Sequence, residues 1–195
     1  MKPTSPLQIL SNQLVQLHCM ETHIARELPI LAGSALNASL RRWLSRRAMA
    51  ARARRDRLQD LVELHAHPFP TKTPDSIRGI LAEGNRDLAR IHHPCSRDVA
   101  VIEHCIRIEQ HAITAYGIAV PLTDRIGFPR SSDKLKPLLG DLETARLTFK
   151  ILEAEVFSIA ASHPHTCEVE PRSSNPAKKR NELNRDVVEP LEVAC

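Results

Sequence analysis

There is little in this chain from which a β-sheet could be built. Aromatic residues make up 3% of the sequence, and no segment alternates apolar with polar positions for long. Half-buried strands would therefore have neither their favoured side chains nor their period of two. Glycine is scarce as well, at 6 residues in 195, while Leu, Ala, Arg and Ile dominate the periodic stretches, a composition that favours helix. The five cysteines (Cys19, Cys95, Cys105, Cys167, Cys195) are odd in number and form no CxxC pair. That argues against a disulfide framework or a zinc knuckle, and for reduced thiols in a cytoplasmic setting. No run approaches the roughly 18 apolar residues of a membrane span, and MKPTSPLQILSNQL lacks the apolar core of a secretory signal. GxSxG, HExxH, P-loop and dinucleotide fingerprints are absent, leaving no common ground for hydrolytic or nucleotide chemistry. Cys105 adjoins His104, but neighbours on a helix diverge by about 100° and cannot pair as nucleophile and base.

What is present is helical periodicity. Steps of three and four predict long helices over about 5–31, 35–66, 96–126 and 132–162, with a shorter one over 76–91. The last follows the proline-broken linker HPFPTKTPD. Pro121 should kink or end the third long helix, whereas Pro137 falls in the first turn of the fourth, where a missing donor does least harm. Four long helices joined by short links and one connecting helix pack most naturally as an antiparallel four-helix bundle, an all-α domain over residues 1–163. Residues 164–195 are polar and proline-bearing without a sustained apolar period, and are read as a mostly disordered tail.

The stripes that should form the core carry charge in their middle. On the first helix the stripe is Leu7, Leu10, Leu14, Leu17, Glu21, Ile24, Leu28; on the third it is Val99, Ile102, Ile106, Glu109, Ile113, Tyr116, Val120. A carboxylate there is costly unless a metal, a cation or a donor meets it. The second helix is apolar at both ends, but its stripe passes through Arg47, Ala50, Ala51 and Arg54 between them. The fourth presents Leu135, Leu138, Leu142, Ala145, Phe149, Leu152, Val156 and Ile159. Two acids and two arginines therefore fall at one level. In ferritin-like di-iron proteins that level holds inward glutamates and Glu/His pairs. Iron or manganese needs several oxygens and an imidazole or two, and here two carboxylates are in place.

LHCMETHIARELPILA, GILAEGNRDL and RIEQHAITAYGIA resemble the opening, connecting and third helices of the bacterial ferritin-like YciE/YciF family of small stress-associated proteins of unknown function. The resemblance spans about residues 7–159. It implies a ferritin-like bundle, a stress-associated role and a homodimer, with Glu21 and Glu109 at the positions of metal ligands. The chain departs from that pattern where Arg47, Ala50, Ala51 and Arg54 replace a His and Glu/Thr pattern, where Gln110 and Ala112 follow Glu109, and where Thr144 and Ala145 replace carboxylates. Glu143 would be a ligand only if the fourth helix slipped by a turn.

The leading expectation is a non-enzymatic bundle whose di-metal site has become a buried cluster of Glu21, Arg47, Arg54 and Glu109. A second is a surviving iron or manganese site on Glu21, Glu109 and Glu143. A third is a basic module that binds nucleic acid through residues 41–57, where eight arginines face the single Asp56 while the whole chain carries +4. Only Trp43 among them is aromatic and no finger or helix-turn-helix accompanies them, so a solvated or acid-paired face is the commoner meaning. His18, His23, His104 and His111 are read as surface or half-buried imidazoles, and His92, His93 and Cys95 as part of an ordinary turn.

Overall fold

Ser5 begins the first helix with a capping box: its hydroxyl accepts from the Gln8 amide at 3.3 Å and the Gln8 side chain accepts from the Ser5 amide at 3.2 Å. In the computed structural model, which describes residues 5–65 and 75–162, five helices follow in order. They are α1 (Pro6–Ser34), α2 (Ala38–His65), α3 (Asp75–Arg90), α4 (Pro94–Arg125) and α5 (Pro129–Ala161). The linker 66–74 and the expected tail lie outside the described residues.

Two tight corners make two helical hairpins. At the first, Asn37 accepts from the amides of Ser39 at 2.9 Å and Leu40 at 3.0 Å, satisfying donors that open α2. The carboxylate of Asp98 on α4 takes the Leu36 and Asn37 amides at 2.7 and 2.8 Å, so the corner is closed by a distant residue. At the second, Gly127 adopts φ +86, a left-handed conformation that a side chain would strain, and the Phe128 amide reaches back to the Thr123 carbonyl at 3.0 Å.

Contacts between elements fix the topology. Ser11 meets His65 and Glu21 meets Arg54, so α1 and α2 are antiparallel. Trp43 meets Phe149 and His65 meets Ser131, which makes α2 and α5 antiparallel. Tyr116 meets Glu21 and His104 faces Glu27, so α1 and α4 are antiparallel too. α2 and α4 therefore run the same way, as the crossover of a ferritin-like bundle requires. α3 makes that crossover, packing along α4 and touching α1 on the way.

Pro121 does not end its helix, which runs to the expected length, and Pro137 is placed differently from the expectation. α4 continues through Pro121 to Arg125: Pro121 and Gly117, whose carbonyl loses its donor, are both exposed, so water can serve that oxygen. Pro137 is not in a first turn, because α5 already begins at Pro129; it is exposed inside the helix.

The core stripes hold on α1 from Leu10 to Leu28. On α4 the buried face is wider and turned, taking in Val101, Cys105, Ile108, Ala112 and Ala119, while Val99, Ile106, Ile113 and Val120 are half-buried. The cause is that α4 has three neighbours, α1, α3 and α5, and one narrow stripe cannot face them all. On α5 the stripe ends at Val156, and Ile159 is exposed.

Candidate functional site

Glu21, Arg47, Arg54 and Glu109 meet in the interior from three helices, each at most 5% exposed. Arg47 grips Glu109 with two parallel bonds, Nε to Oε1 and Nη2 to Oε2, both 3.0 Å. Arg54 grips Glu21 likewise, Nε to Oε1 at 2.7 Å and Nη2 to Oε2 at 3.1 Å. Such fork-on-carboxylate pairs match the planar geometry of both partners. The Tyr116 hydroxyl adds a third donor to Glu21 at 3.1 Å. Trp43 lies 5.8 Å from the Arg47 guanidinium, and stacks on Phe149 at 4.1 Å between ring centroids.

The two pairs are joined by a residue that the stripes did not single out. Asp141 on α5 accepts through one oxygen, Oδ2, from Arg54 Nη1 at 2.8 Å and Arg47 Nη1 at 3.3 Å. Its side chain is about half exposed. The cluster thus holds three carboxylates against two guanidinium groups and has a wet end. Asp141 follows Leu138 by three and precedes Ala145 by four, a spacing that places it on the core face. Glu143, the acid expected to serve if α5 slipped, is exposed and takes no part: two residues beyond Asp141 it points to the opposite side of the helix.

Electrostatics follow from the burial. Desolvation is the main influence on Glu21 and raises its pKa, reinforced by the Glu109 charge and opposed by Arg54 and by the two side-chain donors. Arg54 loses hydration by burial, yet the charge and hydrogen bonds of Glu21 hold it protonated beyond its ordinary value. Burial, with Glu109 beside it, pushes Cys105 well above the ordinary thiol range, so it stays a protonated core residue and not a nucleophile.

These donors suit a metal poorly. All four oxygens of Glu21 and Glu109 are engaged by guanidinium, and a divalent ion would sit against two fixed positive charges. Among the described residues no three His, Cys, Asp or Glu side chains converge to hold a metal ion. The arginine run also divides: Arg47 and Arg54 turn inward, Arg41 donates to the Ala35 and Leu36 carbonyls and Arg55 pairs with Asp56, and the others that are described lie on the outer face.

One histidine departs from expectation. His104 is buried, not half-exposed; its Nε2 lies 3.6 Å from Glu27 Oε1, and neither atom has a hydrogen-bond partner. His18, His23 and His111 are half-buried.

Fold and interior together define a ferritin-like four-helix bundle with an ion-paired centre. The chain belongs to the YciF-type family described as a domain of unknown function (DUF892), whose model matches residues 5–155. Among solved structures it is similar to YcfI from Rhodopseudomonas palustris, at 17% identity and a TM-score of 0.69 over 78% of this chain and 93% of that one. It is equally similar to the E. coli stress protein YciF, at 17% identity and a TM-score of 0.69 over 82% and 97%. At that identity the likeness is one of fold. No curated protein matches the chain. Among the described residues no helix is long and apolar enough to cross a membrane.

Proposed function

We infer that this protein is a non-enzymatic, stress-associated bundle in which guanidinium groups neutralise the carboxylates that metal ions neutralise in ferritin-like centres. The single observation that supports this reading most is the double grip of Arg47 on Glu109 and Arg54 on Glu21. A fixed organic cation cannot change oxidation state or open a coordination position, so the centre serves architecture and not oxygen or iron chemistry. The stress association leans on the likeness to the E. coli stress protein YciF. A cytoplasmic homodimer is the form in which we place it.

Metal analysis of full-length protein purified without chelator tests the reading, with Glu21→Ala alongside. The expected result is iron and manganese far below one ion per chain in both. Near-stoichiometric iron or manganese in the parent, lost in Glu21→Ala, would overturn it in favour of a surviving carboxylate site.

A further inference from the structure

Of the eight arginines in residues 41–57, four are accounted for: Arg47 and Arg54 in the buried centre, Arg55 on Asp56, and Arg41 on the Ala35 and Leu36 carbonyls. The other four, Arg42, Arg46, Arg52 and Arg57, are exposed, and among the described residues none of them makes an ion pair. At about 100° per residue Arg42, Arg46 and Arg57 fall within roughly 60° of one another on α2, with Arg52 some 80° to one side. Little beside them balances this charge. α1 carries two acids, Glu21 and Glu27, and both are buried, whereas its Arg26 is exposed. Asp56 is already held by Arg55, which leaves Glu155 of α5, across the groove that Arg42 and Arg46 line, as the acid of that edge.

The make-up of the strip decides among polyanions. An anionic membrane needs an apolar face to insert, but Leu40, Leu44, Leu58 and Leu61 of α2 are buried in the bundle, and the large apolar side chain exposed between the arginines is Met49. An acidic protein would be anchored by an aromatic hot spot, and Trp43 is already stacked on Phe149. α2 contains no lysine, and guanidinium is the cation whose planar fork matches two phosphate oxygens. The arginines also fall in two pairs, Arg42 with Arg46 and Arg52 with Arg57, whose midpoints lie about 16 Å apart at 1.5 Å per residue. That spacing brings the pairs to the phosphates on either side of a major groove roughly 12 Å wide. Met49, Ala50 and Ala53 between them have no side-chain donor with which to read a base edge.

We propose that the outer face of α2 binds duplex DNA along its phosphate backbone, without regard to sequence, through Arg42, Arg46, Arg52 and Arg57. Binding at this surface is independent of the ion-paired centre, which keeps Arg47 and Arg54 to itself. Its strength comes from release of the counterions condensed on the phosphates, so it falls steeply with salt.

Fluorescence anisotropy of a labelled DNA duplex of mixed sequence, titrated with the full-length protein, tests this. With four phosphate contacts log Kd should rise with log salt at a slope of about 3.6, an affinity loss of about 150-fold between roughly 50 and 200 mM. Arg42→Gln with Arg46→Gln, and Arg52→Gln with Arg57→Gln, should each halve that slope and weaken binding by about tenfold or more at roughly 50 mM salt. These positions are exposed, so the core stays intact, which circular dichroism verifies. Arg86→Gln with Arg90→Gln removes the same charge from exposed sites on α3 and should leave the slope unchanged. A duplex RNA, whose major groove is deep and narrow, should bind several-fold more weakly. Absence of DNA binding at about 25 mM salt overturns the proposal. So does an equal loss in the α3 variant, which reduces the effect to net charge, and so does RNA binding as tight as DNA. Displacement of the duplex by phosphatidylserine vesicles at equal phosphate concentration would assign the face to a membrane and overturn it as well.

Discussion

Arg47 gives two hydrogen bonds to one buried carboxylate, and that fixes how Glu109 can be replaced. Glu109→Ala removes the acceptor and the charge, leaving Arg47 with only the half-exposed Asp141, and should cost about 3–5 kcal/mol. Glu109→Gln keeps one oxygen in place and should cost clearly less. Urea unfolding of the two variants checks this, and equal midpoints would mean that the charge is not held inside. Glu21 and Glu109 were legible in the sequence because an acid interrupts an otherwise apolar stripe, and Arg47 and Arg54 because they fill the matching gap on α2. Asp141 was harder to see. Leu142 beside it satisfies the apolar pattern, so an acid one position away reads as the solvent side, although its spacing from Leu138 and Ala145 carried the signal. His104 was missed for a related reason, since its neighbours Glu103 and Cys105 mask which side of α4 faces inward until α3 is in place.

At the level of elements, α3 owes its seat on α4 to Gly84. A β-carbon there would overlap the buried imidazole of His104, so the ring or the helix must shift to admit it. Gly84→Ala should therefore destabilise by about 1–3 kcal/mol through overpacking, although alanine is the better helix former. His104→Ala in the same chain should recover part of that loss; urea midpoints of the single and double variants measure it. The existence and order of the helices could be read from periodicity, as could the connecting helix. The width of the buried face on α4 could not, because it depends on how many helices crowd against it. That α4 keeps its expected length past Pro121 rests on the exposure of that turn.

For the molecule as a whole, acid and base act on different groups with opposite sign. Burial is the main cause that lowers the pKa of His18, His23, His65 and His111 from 6.5. Below about pH 6.5 the unfolded chain then binds more protons than the folded one, so these groups take stability away as pH falls. Glu21 works the other way. Its pKa is raised from 4.5, so the fold holds a proton that the unfolded chain has released, and this contribution is lost as pH rises through the raised value. Urea midpoints from about pH 4 to pH 8 should show both effects in the parent. In Glu21→Gln the loss on raising pH should vanish while the histidine-dependent fall on acidification persists. The ferritin-like topology itself was legible from four long stripes and a short linker helix, since few other packings bury them all.

The corner between α1 and α2 is completed by Asp98, 61 and 62 residues further along the chain than the amides it receives. A ribosome that has released only the first hairpin has therefore released one whose corner still carries two bare donors. Arg54, waiting for Asp141 from 87 positions downstream, is in the same state. The nascent first half is thus an unfinished object, held for its second half to arrive, and shortened chains should be drawn to chaperones in proportion to which of these two partners they lack.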